Sequence, residues 1–377
     1  MCRWSKILLL YFEELSKEEI LKLFLCTLVT LFWGASALAQ AQTTWTCPEG
    51  FAGQQLSVYN WSTYIADNTI PDFEELCGVT VIYDTYPTDG DMLSRIRQGN
   101  PGYDIVVPTA GTAQTMIEEG LLEPLEFANI PNFANIAPIY VNPVYDPENQ
   151  YTVPYQVGGL GVAYNREKAG KEITSWYDVF SYEGPVAWIE DYRVMLAIAL
   201  NLLGYDPNSR SPDEINEAKE FLVKNGGNVV TIAQDDGQEL LVRGEVDIVL
   251  EYSGDIFQVI AECACDTYVY VNPVEGTFFS SDVLGVPVDA PNKALAEVFI
   301  DYILDPQVGA DISNYTTYAS PNQAAIDQKL ISEETLSNPA IYPPAEVQAN
   351  FFTTVQDAES EPLYIDAWDE VKIELGQ

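Results

Sequence analysis

Gln55-Leu56-Ser57-Val58-Tyr59-Asn60-Trp61-Ser62-Thr63-Tyr64 begins as a strand and ends in Trp, two hydroxyls and Tyr within four residues. Strand ends in α/β proteins are where ligands dock. Two rings and two hydroxyls at such an end read as a pocket that grips a small molecule. The acidity of the chain favours a cationic one.

Working outward, strands alternate with helices. Val79 to Tyr83 is a β-branched run, and Met92, Leu93 and Ile96 lie on one helical face. Ile105-Val106-Val107 is a short buried strand, and a helix through Met116 stops at Gly120. This βαβ rhythm predicts an α/β fold with a mostly parallel sheet flanked by helices. Residues 122–150 are loop-rich. Val153-Pro154-Tyr155 and Leu160 to Tyr164 read as two strands around Gly158-Gly159, an expected crossover between lobes. A second α/β unit follows. Its helix from Asp191 to Leu203 stops at Gly204, and Ser211-Pro212-Asp213-Glu214 is a capping box. Val229 to Ala233 and Ile248 to Leu250 are strands, and Val283 to Val286 reads as the return to the first lobe. The expected organisation is a signal peptide over 1–41, the first part of lobe 1 over 42–157, lobe 2 over 158–282, and the return to lobe 1 with C-terminal helices over 283–377. Hinge motion would run through two crossovers, near residues 155–159 and 282–284.

The chain has 377 residues, enough for two domains with real cores. It carries 17 Lys and Arg against 57 Asp and Glu, a net charge of −40. That excludes general nucleic-acid binding. Adaptation to salty surroundings accounts for most of the charge, and steering of cations toward a cleft is the functional reading beside it. There is no His, so a Ser-His-Asp triad and His-metal ligation are excluded. Leu21 to Ala35 is an apolar run with Lys17 and Lys22 at its N-terminal end and Ala37-Leu38-Ala39 after it. This is the pattern of a cleaved signal peptide. An uncleaved anchor ranks second, because the run is short for a membrane span. Four cysteines follow the cleavage region. Cys47 is expected to pair with Cys77, whereas Cys263-Ala264-Cys265 is too tight for an easy disulfide. No metal or other cofactor is expected.

Three carboxylates stand out. Asp191 and Asp255 each follow a strand and precede a helix, so N-capping is the ordinary account of either one alone. Asp282 precedes a strand, where capping explains it less well. A diamine needs a carboxylate at each ammonium end and aromatic faces along its methylenes. Trp61, Tyr64, Tyr252 and Tyr318 could supply the rings, although any one of them could equally be a core aromatic. Paired carboxylates also serve glycosidases, but the sequence marks no acid of raised pKa.

With these motifs in order, the chain resembles the periplasmic polyamine-binding proteins of ABC importers, most of all the putrescine-binding kind. The resemblance spans roughly residues 55–373. It rests on the opening stretch, Tyr103-Asp104-Ile105-Val106-Val107-Pro108, Tyr252-Ser253-Gly254-Asp255, Asp282-Val283-Leu284, Tyr318-Ala319 and Ile341-Tyr342-Pro343-Pro344-Ala345. It implies a two-lobed type II periplasmic binding protein with the ligand between the lobes. By position, Trp61, Ser62 and Tyr64 would line the first-lobe wall and Thr109 would add a hydroxyl. Asp255 and Asp282 would hold ammonium groups, Tyr252 would stack on the ligand, and Tyr318 would close the pocket. Asp191 matches an acidic position of lobe 2. Three departures stand beside this. A family Glu is Val194 here, a family aromatic is Ser280, and a Tyr of the spermidine-binding relatives is Gly111. Two readings follow: Asp235 or Asp236 replaces the charge missing at Val194, or the ligand differs, as a shorter diamine, a monoamine or another small cationic metabolite.

The resulting expectation is an exported, monomeric binding protein without catalysis. It captures putrescine, spermidine or a related amine and delivers it to a membrane ABC permease. The alternatives are a receptor for another small cationic amine, a sensor-coupled receptor, or a secreted carboxylate-pair hydrolase.

Overall fold

A computed structural model describes residues 43–234, 236–355 and 359–377. The expected signal peptide and Asp235 lie outside the described residues. The strands are β1 (Gln55–Asn60), β2 (Thr80–Thr85), β3 (Ile105–Val106), β4 (Thr152–Asn165), β5 (Val186–Ile189), β6 (Val229–Ala233), β7 (Ile248–Tyr252), β8 (Tyr268–Val271) and β9 (Phe279–Gly285). They join in the order β2-β1-β3-β9-β4-β7-β5-β6, with β8 also on β4. Two parallel clusters, β2-β1-β3 and β7-β5-β6, lie on either side of an antiparallel pair, β4 and β9. The helices that matter below are α1 (Thr69–Cys77), α2 (Asp89–Arg97), α3 (Ala110–Glu118), α4 (Tyr192–Leu203), α5 (Pro212–Asn225), α6 (Gly237–Arg243), α7 (Ser253–Cys263), α8 (Lys293–Ile303), α9 (Pro306–Thr316) and α10 (Glu361–Leu375).

Each cluster has its own core. Leu56, Val58, Phe73, Ile105, Phe299 and Tyr302 fill the first, and Leu160, Val162, Trp188, Leu196, Leu250 and Trp368 the second. The 14-residue β4 serves both, giving Val153 and Tyr155 to one and Leu160, Val162 and Tyr164 to the other. The chain is thus two-lobed, and β4 and β9 run from one lobe to the other. The C-terminal helix α10 packs through Tyr364, Trp368 and Val371 into the second core.

The two strands expected around Gly158-Gly159 are a single strand. Glycine weakens a strand interior, which is why the pair reads as a break. Its role here is close approach. A Cβ on Gly158 would lie 2.5 Å from the Tyr318 ring, and one on Gly159 would lie 2.8 Å from the Phe279 ring. Asp282 likewise sits inside β9 rather than ahead of it.

Local signals fix the helix ends. Thr88, Thr109, Asp191 and Ser211 cap α2, α3, α4 and α5 with their side chains. Gly78 and Gly204 end α1 and α4 in the left-handed conformation. Cys47 is bonded to Cys77. The expectation for the other two cysteines is overturned, since Cys263 is bonded to Cys265. Ala264 ends α7 in the left-handed region at φ 46°, which turns the two Cα atoms to within 5.2 Å.

Candidate functional site

The ends of β1, β5, β7 and the crossover strand β9 meet in a cleft between the lobes. Its inner chamber, about 40 Å³, is lined by Trp61, Ser62, Tyr64, Thr109, Tyr252, Asp255, Phe278, Ser280, Asp282 and Tyr318, with the Gly158 backbone. That room admits an ammonium group or a few waters. An outer chamber of about 420 Å³ shares Trp61, Thr109, Tyr252 and Phe278 with it and adds Asp89, Asp91, Glu190 and Asp191, with Arg193 and Lys372. Apart from Asp236, every described residue expected at the site borders one chamber or the other.

Each carboxylate meets hydroxyl donors. Asp255, in the first turn of α7, accepts from Tyr318 Oη at 2.6 Å and from Thr63 Oγ1 at 2.7 Å. Tyr252, not Asp255, occupies the N-cap of α7, so capping does not account for Asp255. Asp282 accepts from Tyr64 Oη at 2.5 Å. Asp191 caps its helix, as expected, and also holds a tyrosine hydroxyl. One carboxylate oxygen caps α4 through the Val194 N–H at 3.0 Å, and the other accepts from Tyr252 Oη at 3.1 Å. Trp61 is pinned by its indole N–H to the Val107 carbonyl at 2.8 Å, which aims its ring face at the junction of the chambers.

No Lys or Arg lines the inner chamber. Burial therefore acts on its acids without a countercharge. It lifts Asp282 to about 8, against the pull of the Tyr64 hydroxyl and with a further push from Asp89. It raises Asp255 too, opposed by Tyr318 and Thr63. The Tyr64, Tyr252 and Tyr318 phenols are pushed well up by burial and then by the neighbouring carboxylates, so they remain protonated donors. In the outer chamber the bases are engaged. The Arg193 guanidinium donates to Val355, Pro207 and Asn208 and stacks 3.8 Å from the Tyr364 ring centroid. Lys372 pairs with Glu190 at 3.0 Å and with Asp369 at 3.3 Å.

The departures from the family pattern have a structural account. Val194 is buried in the second core and does not reach the cleft. Ser280 leaves its place in the inner lining without a ring, but Phe278, two residues earlier, supplies one beside it. Gly111 packs under the chain near α10, where a Cβ would stand 2.4 Å from the Thr354 carbonyl. Asp236 is exposed and borders only an open mouth of the cleft, with Ser62 and Tyr86.

The residue that sequence reasoning missed is Asp89. It opens α2, and its carboxylate accepts from Thr109 Oγ1 at 2.5 Å and Thr112 Oγ1 at 2.7 Å. Burial raises it to about 6, the two hydroxyls pull it down, and Asp191 across the cleft pushes it up. An acid at a helix start reads as a partner of the helix dipole, which hides any further role. Thr63 was also missed as a donor, although it lies within the opening stretch.

The comparisons with known proteins agree with this architecture. The family profile described as "Bacterial extracellular solute-binding protein" matches residues 68–342. The putrescine-binding periplasmic protein PotF of Escherichia coli is 32% identical over 339 residues, covering 84% of this chain and 91% of the relative. The spermidine/putrescine-binding periplasmic protein of the same organism is 32% identical over 299 residues, 78% and 85% of the two chains. Among solved structures, the spermidine/putrescine ABC transporter substrate-binding protein PotD of Streptococcus pneumoniae superposes with a TM-score of 0.72 at 29% identity. That match covers 86% of this chain and all of the other. The chain belongs to the bacterial extracellular solute-binding protein family.

Proposed function

We propose that this protein is a periplasmic receptor that captures a polyamine, putrescine or a similar amine, and delivers it to an ABC import permease. The single observation that carries this reading is the inner chamber, where Asp255 and Asp282 face aromatic rings with no cationic side chain among them. An alkyl ammonium supplies the missing charge and its methylenes lie against Trp61, Tyr252 and Phe278. Lobe 1 comprises 43–157 with 283 through α9, and lobe 2 comprises 158–282 with α10. The lobes close about the β4–β9 pair, and closure presents a new surface to the permease.

Catalysis has no place in this reading. Calorimetric titration of the mature protein with putrescine, spermidine, cadaverine, agmatine and choline tests the proposal. Saturable binding of a polyamine that is lost in Asp255→Ala and Asp282→Ala supports it. Full affinity in both variants, or turnover of a glycoside, overturns it.

A further inference from the structure

Among the described residues, the cleft contains an acid that the resemblance does not assign. Asp89 enters the outer chamber from lobe 1 and Asp191 enters it from lobe 2. The two act on each other electrostatically, and Asp89 also acts on Asp282. Asp89 is thus coupled both to the inner acid and to the second-lobe acid. Its side-chain partners are the neutral hydroxyls of Thr109 and Thr112, so its charge stays uncompensated. Of the two bases bordering the same chamber, Lys372 is paired with Glu190, while Arg193 hydrogen-bonds elsewhere and acts on Asp191 electrostatically, not on Asp89.

We infer that Asp89 and Asp191 receive the far ammonium of a dication whose near ammonium lies at Asp255 and Asp282, and that Asp89 sets the preference for dications over monocations. This rests on the amine-receptor reading above. The physical reason is closure. Bringing lobe 1 onto lobe 2 brings two carboxylates together, and like charges at short range oppose that. A cation between them reverses the sign of the interaction. A monoamine satisfies only the inner acids and leaves the outer pair repelling. A flexible diamine neutralises both ends, and Trp61, Tyr252 and Phe278 line the passage between the chambers.

The test is calorimetric titration of the wild-type protein and Asp89→Asn with 1,4-diaminobutane and with butylamine, which share a four-carbon chain. Asparagine keeps acceptors for Thr109 and Thr112 and removes only the charge. In Asp89→Asn the diamine should weaken by about 10- to 100-fold, as for loss of one charged partner, whereas butylamine should bind as well or better, because the repulsion between the outer acids is relieved. Asp191→Asn repeats the measurement from the other lobe should Asp89→Asn fold poorly. Equal losses for the two amines, or an unchanged diamine affinity, would overturn the role of Asp89 and leave the receptor reading standing. Failure of the wild-type protein to bind any amine removes the receptor reading, and this inference with it.

Discussion

Binding of an ammonium ligand near neutral pH should release about one proton, and Asp282 is its source. The Asp282 carboxyl lies at about 8, raised by burial first, lowered by the Tyr64 hydroxyl and raised again by Asp89. At pH 7 it is therefore about nine-tenths protonated in the free protein. Asp89, at about 6, adds about a tenth of a proton. An ammonium in the inner chamber supplies the countercharge that burial withheld, and the bound carboxyl ionises. Affinity should then rise with pH by roughly 100-fold between pH 6 and 8.5, with most of the gain below pH 8. The ammonium itself stays charged over this range, since alkyl amines titrate near 10.4. Calorimetry in pairs of buffers with low and high ionisation enthalpies reads the proton directly. A binding enthalpy independent of buffer, with a flat Kd from pH 6 to 8.5, would refute the reasoning. Asp282→Asn should abolish the buffer dependence along with most of the affinity.

The same carboxyl links pH to folding. Its folded value lies above its ordinary 3.8, so its contribution is greatest at acid pH and is lost as pH rises from about 4 to about 8, with a slope of at most about 1.4 kcal/mol per pH unit. The ligand-free wild-type protein should lose thermal stability over this window relative to Asp282→Asn; parallel Tm curves would contradict it. Gly111→Tyr, which restores the residue of the spermidine-binding relatives, should cost about 1–3 kcal/mol by forcing the Thr354 backbone away, measured by denaturant unfolding. An unchanged midpoint would mean that the 352–355 segment is free to move. Replacing Cys47 and Cys77 together by Ser should cost about 3–4 kcal/mol, since the bridge closes a loop of 30 residues. A loss below about 1 kcal/mol would show that the loop is already ordered without the bond.

The sequence carried the fold where period and punctuation agree. Leu56 and Val58 alternate into one core, and Gly204 stops its helix where expected. It failed where a residue has a tertiary reason that looks like a local one. Gly158-Gly159 resembles a break in a strand, yet it marks the places where Tyr318 and Phe279 press on the backbone. The Cys263–Cys265 bond needs a left-handed Ala264, which nothing in the residue type announces. At the site, the acids at strand ends were legible because strand ends face the cleft. Asp89 was not, because only the folded chain places α2 opposite Asp191. Phe278 was passed over because its ring does the work expected of position 280 from two residues away.

The partners of the four acids show how the cleft can be both acidic and selective. Asp89, Asp191, Asp255 and Asp282 all hydrogen-bond to Thr or Tyr hydroxyls. A hydroxyl satisfies a buried oxygen without cancelling its charge. Had Lys or Arg filled these places, an incoming ammonium would have to break an ion pair, and its net gain would shrink by the pairing it displaced. With hydroxyls, the ligand adds a charge where none was compensated. Neutral solutes gain none of this charge pairing and still displace water from the acids. Substituting Tyr64 by Lys should therefore abolish amine binding, because the introduced ammonium would occupy Asp282 permanently. Amine affinity retained in Tyr64→Lys would show that neutrality of the partners is not what keeps the site open to cations.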